Sequence, residues 1–445
     1  MIVSKENRVF PLVLVPQYFG SIVYDYRTFQ YMPFDREATL SLIELKEKPI
    51  NEILNEIEER KVRERIWQFY EYFYKFGFFT FHQKFAGLIQ DIKTPSDHLV
   101  GPLTLHLEVT DSCNLHCRHC SAGQLPRNKQ MMDLEDIEGL FKSMKKIGTF
   151  RLGLTGGEPL LREDLIDIID LAIDYGLSPC LTTNGLLMTE RIAEELGKRE
   201  LAWLNISLEG ANPQTHDYIR GKGTFNKVIK KIAMVSKYCR FSLAFTLMKS
   251  NFHEARDCAK LAERVGAQAA VFRPLYPIGT ANQHSELMLS FSEYIEALND
   301  LAAMEKELNT SHIQFCNTHP WGPQTRIESH SMVYSNFGCG AGNLVCSVSV
   351  SGDISPCSYL PSTYIAGNIK EQPLERIWSE NFVFKYIRSL KGNTLCDGCE
   401  SYRNCLGGCR ARALSINKSI NAPDSWACSQ KNTYIEEVSE ERVCL

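Results

Sequence analysis

Cys113, Cys117 and Cys120 stand in a C-x3-C-x2-C spacing, in the run Asp111-Ser112-Cys113-Asn114-Leu115-His116-Cys117-Arg118-His119-Cys120. Thiolates at such short spacings hold iron–sulfur clusters. Three of them can bind three irons of a cubane and leave the fourth iron open to a substrate. Zinc fits the same spacing if His116 or His119 supplies a fourth ligand. A second concentration lies near the C-terminus. There Cys396, Cys399, Cys405 and Cys409 form C-x2-C-x5-C-x3-C, and Cys428 follows. Cys339, Cys346 and Cys357 precede them as a looser set. On spacing alone, four cysteines this close also suit a zinc ribbon.

The chain has 445 residues and 16 cysteines, of which these sets take 11. Cys180, Cys239, Cys258, Cys316 and Cys444 stand alone and read as small buried hydrophobes. Cysteine is too sparse for a disulfide scaffold, and a chain this long buries a core without covalent staples. No run of about 18 apolar residues suggests a membrane span. Met1 to Pro16 lacks the basic start and cleavage site of a signal peptide. A cytoplasmic location follows as the expectation, with clustered thiols kept reduced for metal. Lys+Arg 49 against Asp+Glu 53 gives a net charge of −4. That balance points away from nucleic acid as a partner.

The elements that position these thiols change along the chain. Residues 1–86 read as a small α+β domain, with β-type runs at 9–16, 21–26 and 29–34 and helices at 37–45, 49–59 and 63–76. Residues 87–101 read as a linker rich in Gly, Pro and Ser. Residues 102–309 alternate strand and helix through six βα units. Short turns between them predict parallel strands with helical crossovers, as a partial (βα)6 barrel or a doubly wound sheet. The first cysteine set follows the first strand, at the end where βα barrels carry their chemistry. Residues 310–445 turn irregular, and metal is the expected source of their stability.

The first cysteine set and the motifs after it resemble the radical S-adenosylmethionine (radical SAM) enzymes. The resemblance implies a [4Fe–4S] cluster on Cys113, Cys117 and Cys120, with S-adenosylmethionine (AdoMet) on the open iron. Gly156-Gly157-Glu158-Pro159 resembles the family's GGEP motif, whose Glu and nearby backbone hold the AdoMet ammonium. Two glycines there permit close backbone approach. Thr182-Thr183-Asn184-Gly185 resembles the polar turn that approaches AdoMet, which implicates Thr183 and Asn184. Ser207 matches a fourth-strand Ser at the ribose. Arg220, in His216-Asp217-Tyr218-Ile219-Arg220-Gly221, matches an Arg that reaches the AdoMet carboxylate. His119 stands where the family often has an aromatic near the adenine. The family usually has Asp where Glu209 stands, so no role carries over to Glu209. The C-terminal cysteines resemble the SPASM extension, which holds two auxiliary [4Fe–4S] clusters. The implied ligands are Cys339, Cys346, Cys357 and Cys409 for one, and Cys396, Cys399, Cys405 and Cys428 for the other.

Residues 1–98 hold 13 Lys+Arg and 14 Asp+Glu, too even a balance for a winged-helix DNA reader. Their order of strands and helices resembles the RiPP recognition element, a winged-helix-like domain. It holds the leader of a ribosomally made precursor peptide by adding it to a sheet edge. Trp67, Phe69, Tyr70, Tyr72, Phe73 and Tyr74 exceed what one helix face buries. Some of them are expected to dock the leader or the barrel. Together these resemblances imply a peptide maturase that abstracts hydrogen with a 5′-deoxyadenosyl radical. A thioether or carbon–carbon crosslink is the expected product, and a flavodoxin or ferredoxin the expected electron donor. Sulfatase-type protein maturation, tetrapyrrole side-chain chemistry, and peptide epimerisation or splicing are the enzymatic alternatives. A leader-binding or electron-transfer scaffold is the non-enzymatic one.

Overall fold

The computed structural model describes residues 11–75, 84–85, 87–123, 131–307, 314–317, 339–390, 396, 402 and 406–428. Cys399, Cys405 and Cys444 lie outside them, as do the side chains of Phe69, Tyr72, Phe73 and Cys316. The N-terminal strands β1 (Leu12–Gln17), β2 (Gly20–Asp25) and β3 (Gln30–Asp35) form an antiparallel meander. The stretch expected to be only a linker adds a fourth strand, β4 (Leu88–Ile89), parallel to β1. The order β3-β2-β1-β4 leaves β3 on an edge.

β1 is apolar at successive positions because both its faces are covered. Leu12 and Leu14 pack under the helices α1 (Arg36–Glu47), α2 (Ile50–Asn55) and α3 (Arg60–Lys75). Val13 and Val15 join Tyr24, Tyr26 and Tyr31 on the other face, against Leu99, Leu103, Phe150 and Leu344. The Phe150 backbone N–H donates to Tyr31 Oη at 2.8 Å, and Tyr26 Oη donates to Gly176 O at 2.7 Å. Tyr24 stacks on Phe150 at 5.1 Å.

The second sheet carries the six expected βα strands in order: β5 (Thr104–Thr110), β6 (Arg151–Gly156), β7 (Ser178–Thr183), β8 (Trp203–Ser207), β9 (Ser242–Leu247) and β10 (Ala269–Pro274). All neighbours are parallel. Helices follow these strands, among them α4 (Leu134–Lys146), whose start is fixed by a reciprocal cap between Asp133 and Asp136. Two strands from beyond residue 309 extend this sheet. β11 (Gln314–Asn317) pairs parallel with β10, and β12 (Val345–Val348) pairs parallel with β5. β13 (Asp353–Ser355) and β14 (Gly367–Asn368) then continue antiparallel.

Alternation along β5 sorts the two faces. Leu105, Leu107 and Val109 enter the core under the helices, while Thr104, His106 and Glu108 face the lumen of the curved sheet. Phe150 and Gly176 precede β6 and β7. The N-terminal domain therefore sits under the starts of the barrel strands, opposite the ends that carry the first cysteine set.

Candidate active site

The first cysteine set lies on the loop after β5, and the next strand end is tied to it. Gly157 N–H donates to Thr110 O at 2.7 Å, and Glu158 N–H donates to Ser112 O at 2.8 Å. A Cβ on Gly156 would lie 2.2 Å from Thr110 O, and one on Gly157 would lie 2.0 Å from Ser112 O. The close approach expected of these glycines is thus made to the cysteine loop itself. The far end of the loop is held alike. Thr280 N–H donates to Cys120 O at 2.9 Å, and a Cβ on Gly279 would lie 2.3 Å from Ser121 O.

Glu158 is buried and joins three strand ends. Its Oε1 accepts from Leu160 N–H at 3.1 Å and from Thr183 Oγ1 at 2.5 Å, and its Oε2 accepts from Asn184 N–H at 2.8 Å. Burial raises the Glu158 carboxyl, and these hydrogen bonds and Arg220 oppose that. Oε2 keeps an acceptor position. Asn184 Nδ2 donates to Asn114 Oδ1 on the cysteine loop at 2.7 Å. Pro159 begins a short 3-10 turn, Pro159–Leu161, that Glu158 caps.

Glu209, to which the sequence assigned nothing, is the hub of the opposite wall. Arg220 Nη2 donates to its Oε1 at 2.7 Å, and His119 Nε2 lies 3.2 Å from the same oxygen. Thr246 N–H donates to Oε2 at 2.9 Å. Only 1% of the Glu209 side chain is exposed. Burial alone would raise its carboxyl; the charges of His119 and Arg220 outweigh that and hold it down at about 2. Arg220 sits at the end of the helix Pro213–Arg220, so helix and first loop meet on one carboxylate. Ser207 ends β8 on the lumen face, part-buried.

Two orphaned polar atoms fit a bound group at this loop, whose thiols are part-buried. Burial raises the Cys113 thiol and pushes the Cys117 thiol up to about 11, with Arg220 opposing. The buried atoms Asp111 Oδ2 and His119 Nδ1 have no partner among the described residues. No three Cys, His, Asp or Glu among those residues stand close enough to share a single metal ion. A cubane takes each thiolate on a different iron and so needs a wider spacing.

The C-terminal thiols divide. Cys339, Cys357 and Cys409 come together in one small core with Tyr359, Ile387 and Ile420. The paired thiols of Cys339 and Cys409 hold Cys339 down at about 7, while burial pushes Cys357 up to about 12. Cys346 does not join them, which corrects the expected ligand set. It pairs with Leu105 across β12 and β5, so it points to the helix side, fully buried in the main core. Cys396 is buried, and Cys428 ends the short helix Ser425–Cys428. A buried ion pair, Arg412 Nη2 to Asp424 Oδ2 at 2.5 Å, links the two regions. Asp424 Oδ2 accepts from Cys409 N–H at 3.0 Å, and Asp424 O accepts from Cys428 N–H at 3.1 Å.

Residues 107–262 match the family model described as the radical SAM superfamily, and residues 339–405 match the SPASM iron-sulfur cluster-binding domain. The AdoMet-dependent heme synthase of Methanosarcina barkeri is 34% identical over 333 residues, 71% of this chain and 93% of that protein. The chain belongs to the radical SAM superfamily. Mycofactocin maturase MftC of Mycolicibacterium smegmatis is 24% identical, over 73% of this chain and 82% of that protein. Among solved structures, Streptococcus suis SuiB bound to S-adenosylmethionine matches with a TM-score of 0.71 and 16% identity. That match covers 96% of this chain and all of SuiB; SuiB bound to precursor peptide SuiA matches over 94% of this chain. Radical SAM domains bind AdoMet and a [4Fe–4S] cluster, and SPASM domains bind auxiliary iron–sulfur clusters. Among the described residues no helix is long and apolar enough to cross a membrane.

Proposed function

We propose that this radical SAM/SPASM enzyme modifies a ribosomally made precursor peptide whose leader it holds on the N-terminal sheet. The observation that carries this reading is the N-terminal domain, whose sheet ends on β3 among the described residues. The likeness to SuiB, covering 96% of this chain, takes in most of that domain. An extended leader would add to β3 as a further strand. Trp67, part-buried on α3, and Tyr74, 47% exposed, offer side chains to it. A thioether or carbon–carbon crosslink is the product we favour.

Cys113, Cys117 and Cys120 would hold the first cluster. Cys339, Cys357 and Cys409 would hold one auxiliary cluster, and Cys396, Cys399, Cys405 and Cys428 the other. When bound and reduced, the first cluster and AdoMet supply a 5′-deoxyadenosyl radical that abstracts hydrogen. Gly156 and Gly157 bring the cysteine loop onto the strand end, and Pro159 stiffens the turn behind Glu158. Glu158, set by Thr183 and Asn184, offers an acceptor to the AdoMet ammonium. Arg220, held by Glu209, presents its remaining N–H groups to the carboxylate. Ser207 at the end of β8 would hold the ribose, and His119 would lie by the adenine.

Tetrapyrrole side-chain chemistry is the second reading, favoured by the 34% identity to a heme synthase. One experiment separates them. The reduced protein is offered candidate precursor peptides from short reading frames sought beside its gene, and separately a propionate-bearing tetrapyrrole. A mass change confined to the peptide, together with leader binding, supports the proposal. Turnover of the tetrapyrrole without leader binding overturns it.

A further inference from the structure

Among the described residues the lumen face of β10 carries a cation, Arg273. Arg273 stands near the C-terminal end of β10, in register with Thr246 of β9. Its neighbour Phe272 enters the core at 1% exposed, so Arg273 points the other way, into the lumen. Its side chain is exposed and makes no hydrogen bond or ion pair among the described residues. Half-open polar side chains share that face, including Thr182 on β7, Asn205 and Ser207 on β8 and Thr246 itself.

Two neighbours locate this strand end. The charge of Arg273 acts on His106 of β5, which burial first and then Arg273 hold down at about 4. Tyr276, three residues beyond Arg273, packs its ring on Tyr359 at 5.0 Å, and Tyr359 shares a small core with Cys357 and Cys409. The end of β10 that carries Arg273 therefore lies between the barrel lumen and the first auxiliary thiol set. A guanidinium left open in such a space presents a planar fork of N–H donors, which matches a carboxylate bidentately.

We propose that Arg273 anchors a carboxylate of the segment being modified, so that the substrate carries Asp, Glu or a free C-terminus beside the reacting residue. This rests on the peptide-modifying function proposed above and specifies its substrate. The anchor would fix the peptide between the first cysteine loop and the Cys339, Cys357, Cys409 set.

The test reads binding without turnover, so failure of the activity and failure of the anchor are separate results. The probes are three synthetic peptides offered to the AdoMet-loaded holoenzyme. They are acetyl-Gly-Gly-Glu-Gly-Gly-amide, its Gln counterpart, and acetyl-Gly-Gly-Gln-Gly-Gly with a free C-terminus. Wild type is expected to bind one or both acids about tenfold more tightly than the neutral amide. The acid that wins tells a side-chain anchor from a terminal one. Arg273→Gln should remove the preference, and Arg273→Lys should keep part of it. Equal affinities for all three peptides on wild type would overturn the proposal, as would an unchanged preference in Arg273→Gln.

Discussion

Replacing Glu209 by Gln keeps the shape of the hub and removes its charge. Arg220 and His119 then lose the carboxylate that faces them at 2.7 and 3.2 Å. Two routes give the cost. A folded-state value of about 2 against an ordinary 4.5 corresponds to about 3 kcal/mol, at about 1.4 kcal/mol per pH unit. Breaking a buried ion pair by removing one partner costs about 3–5 kcal/mol. The sign follows from the depressed folded value. The stabilisation is fully present above an ordinary carboxyl pKa and is lost as pH falls through about 2. The assay is hydrogen exchange at pH 7 on the peptide covering Ser242–Leu247, whose Thr246 N–H donates to Glu209. Glu209→Gln should speed exchange there by about 100-fold or more. A double-mutant cycle with Arg220→Met should return a coupling of about 1–3 kcal/mol. Exchange accelerated less than about fivefold, with additive mutants, would place this contact with weak surface pairs and refute the reasoning.

Three further outcomes follow from the geometry. Cys346→Ala should leave iron at about 12 per chain, whereas Cys357→Ala should lose about four, read by iron analysis and electron paramagnetic resonance. Gly157→Ala puts a methyl against Ser112 O; it should abolish cluster loading at the first loop while the N-terminal domain keeps its leader affinity. Asp424→Asn strips the charge partner of buried Arg412 and weakens the hold on Cys409 and Cys428. It should cost about 3–5 kcal/mol and lower auxiliary iron, measured by thermal unfolding and iron analysis.

What was legible in the sequence was what is local. The C-x3-C-x2-C loop and the Gly156-Gly157-Glu158-Pro159 turn each lie within a few residues, and the six βα strands carry clear apolar runs. Glu209 was not legible, because its partners sit on three other segments, at His119, Arg220 and Thr246. Cys346 misled for a related reason. The SPASM resemblance placed it among ligands, but strand alternation turns it toward Leu105 and the core. β12 itself, Val345–Val348, is too short for a periodic signal. β4 is two residues inside a polar stretch, and only its pairing with Val13 and Leu14 makes it a strand. The close approach that Gly156 and Gly157 permit was legible, but not that it is made to Thr110 and Ser112, since no sequence pattern says which backbone will fill that space.

The central claim is a radical enzyme acting on a peptide. Its most direct test is one anaerobic reaction of the iron-loaded protein, AdoMet, a reductant and the candidate precursor peptides from short reading frames sought beside its gene, with both products weighed. The reaction should yield 5′-deoxyadenosine together with a peptide that has lost two hydrogens, and neither product from Cys117→Ala. Fully loaded wild-type protein that cleaves no AdoMet, or cleaves it and leaves the peptide unchanged, would contradict it.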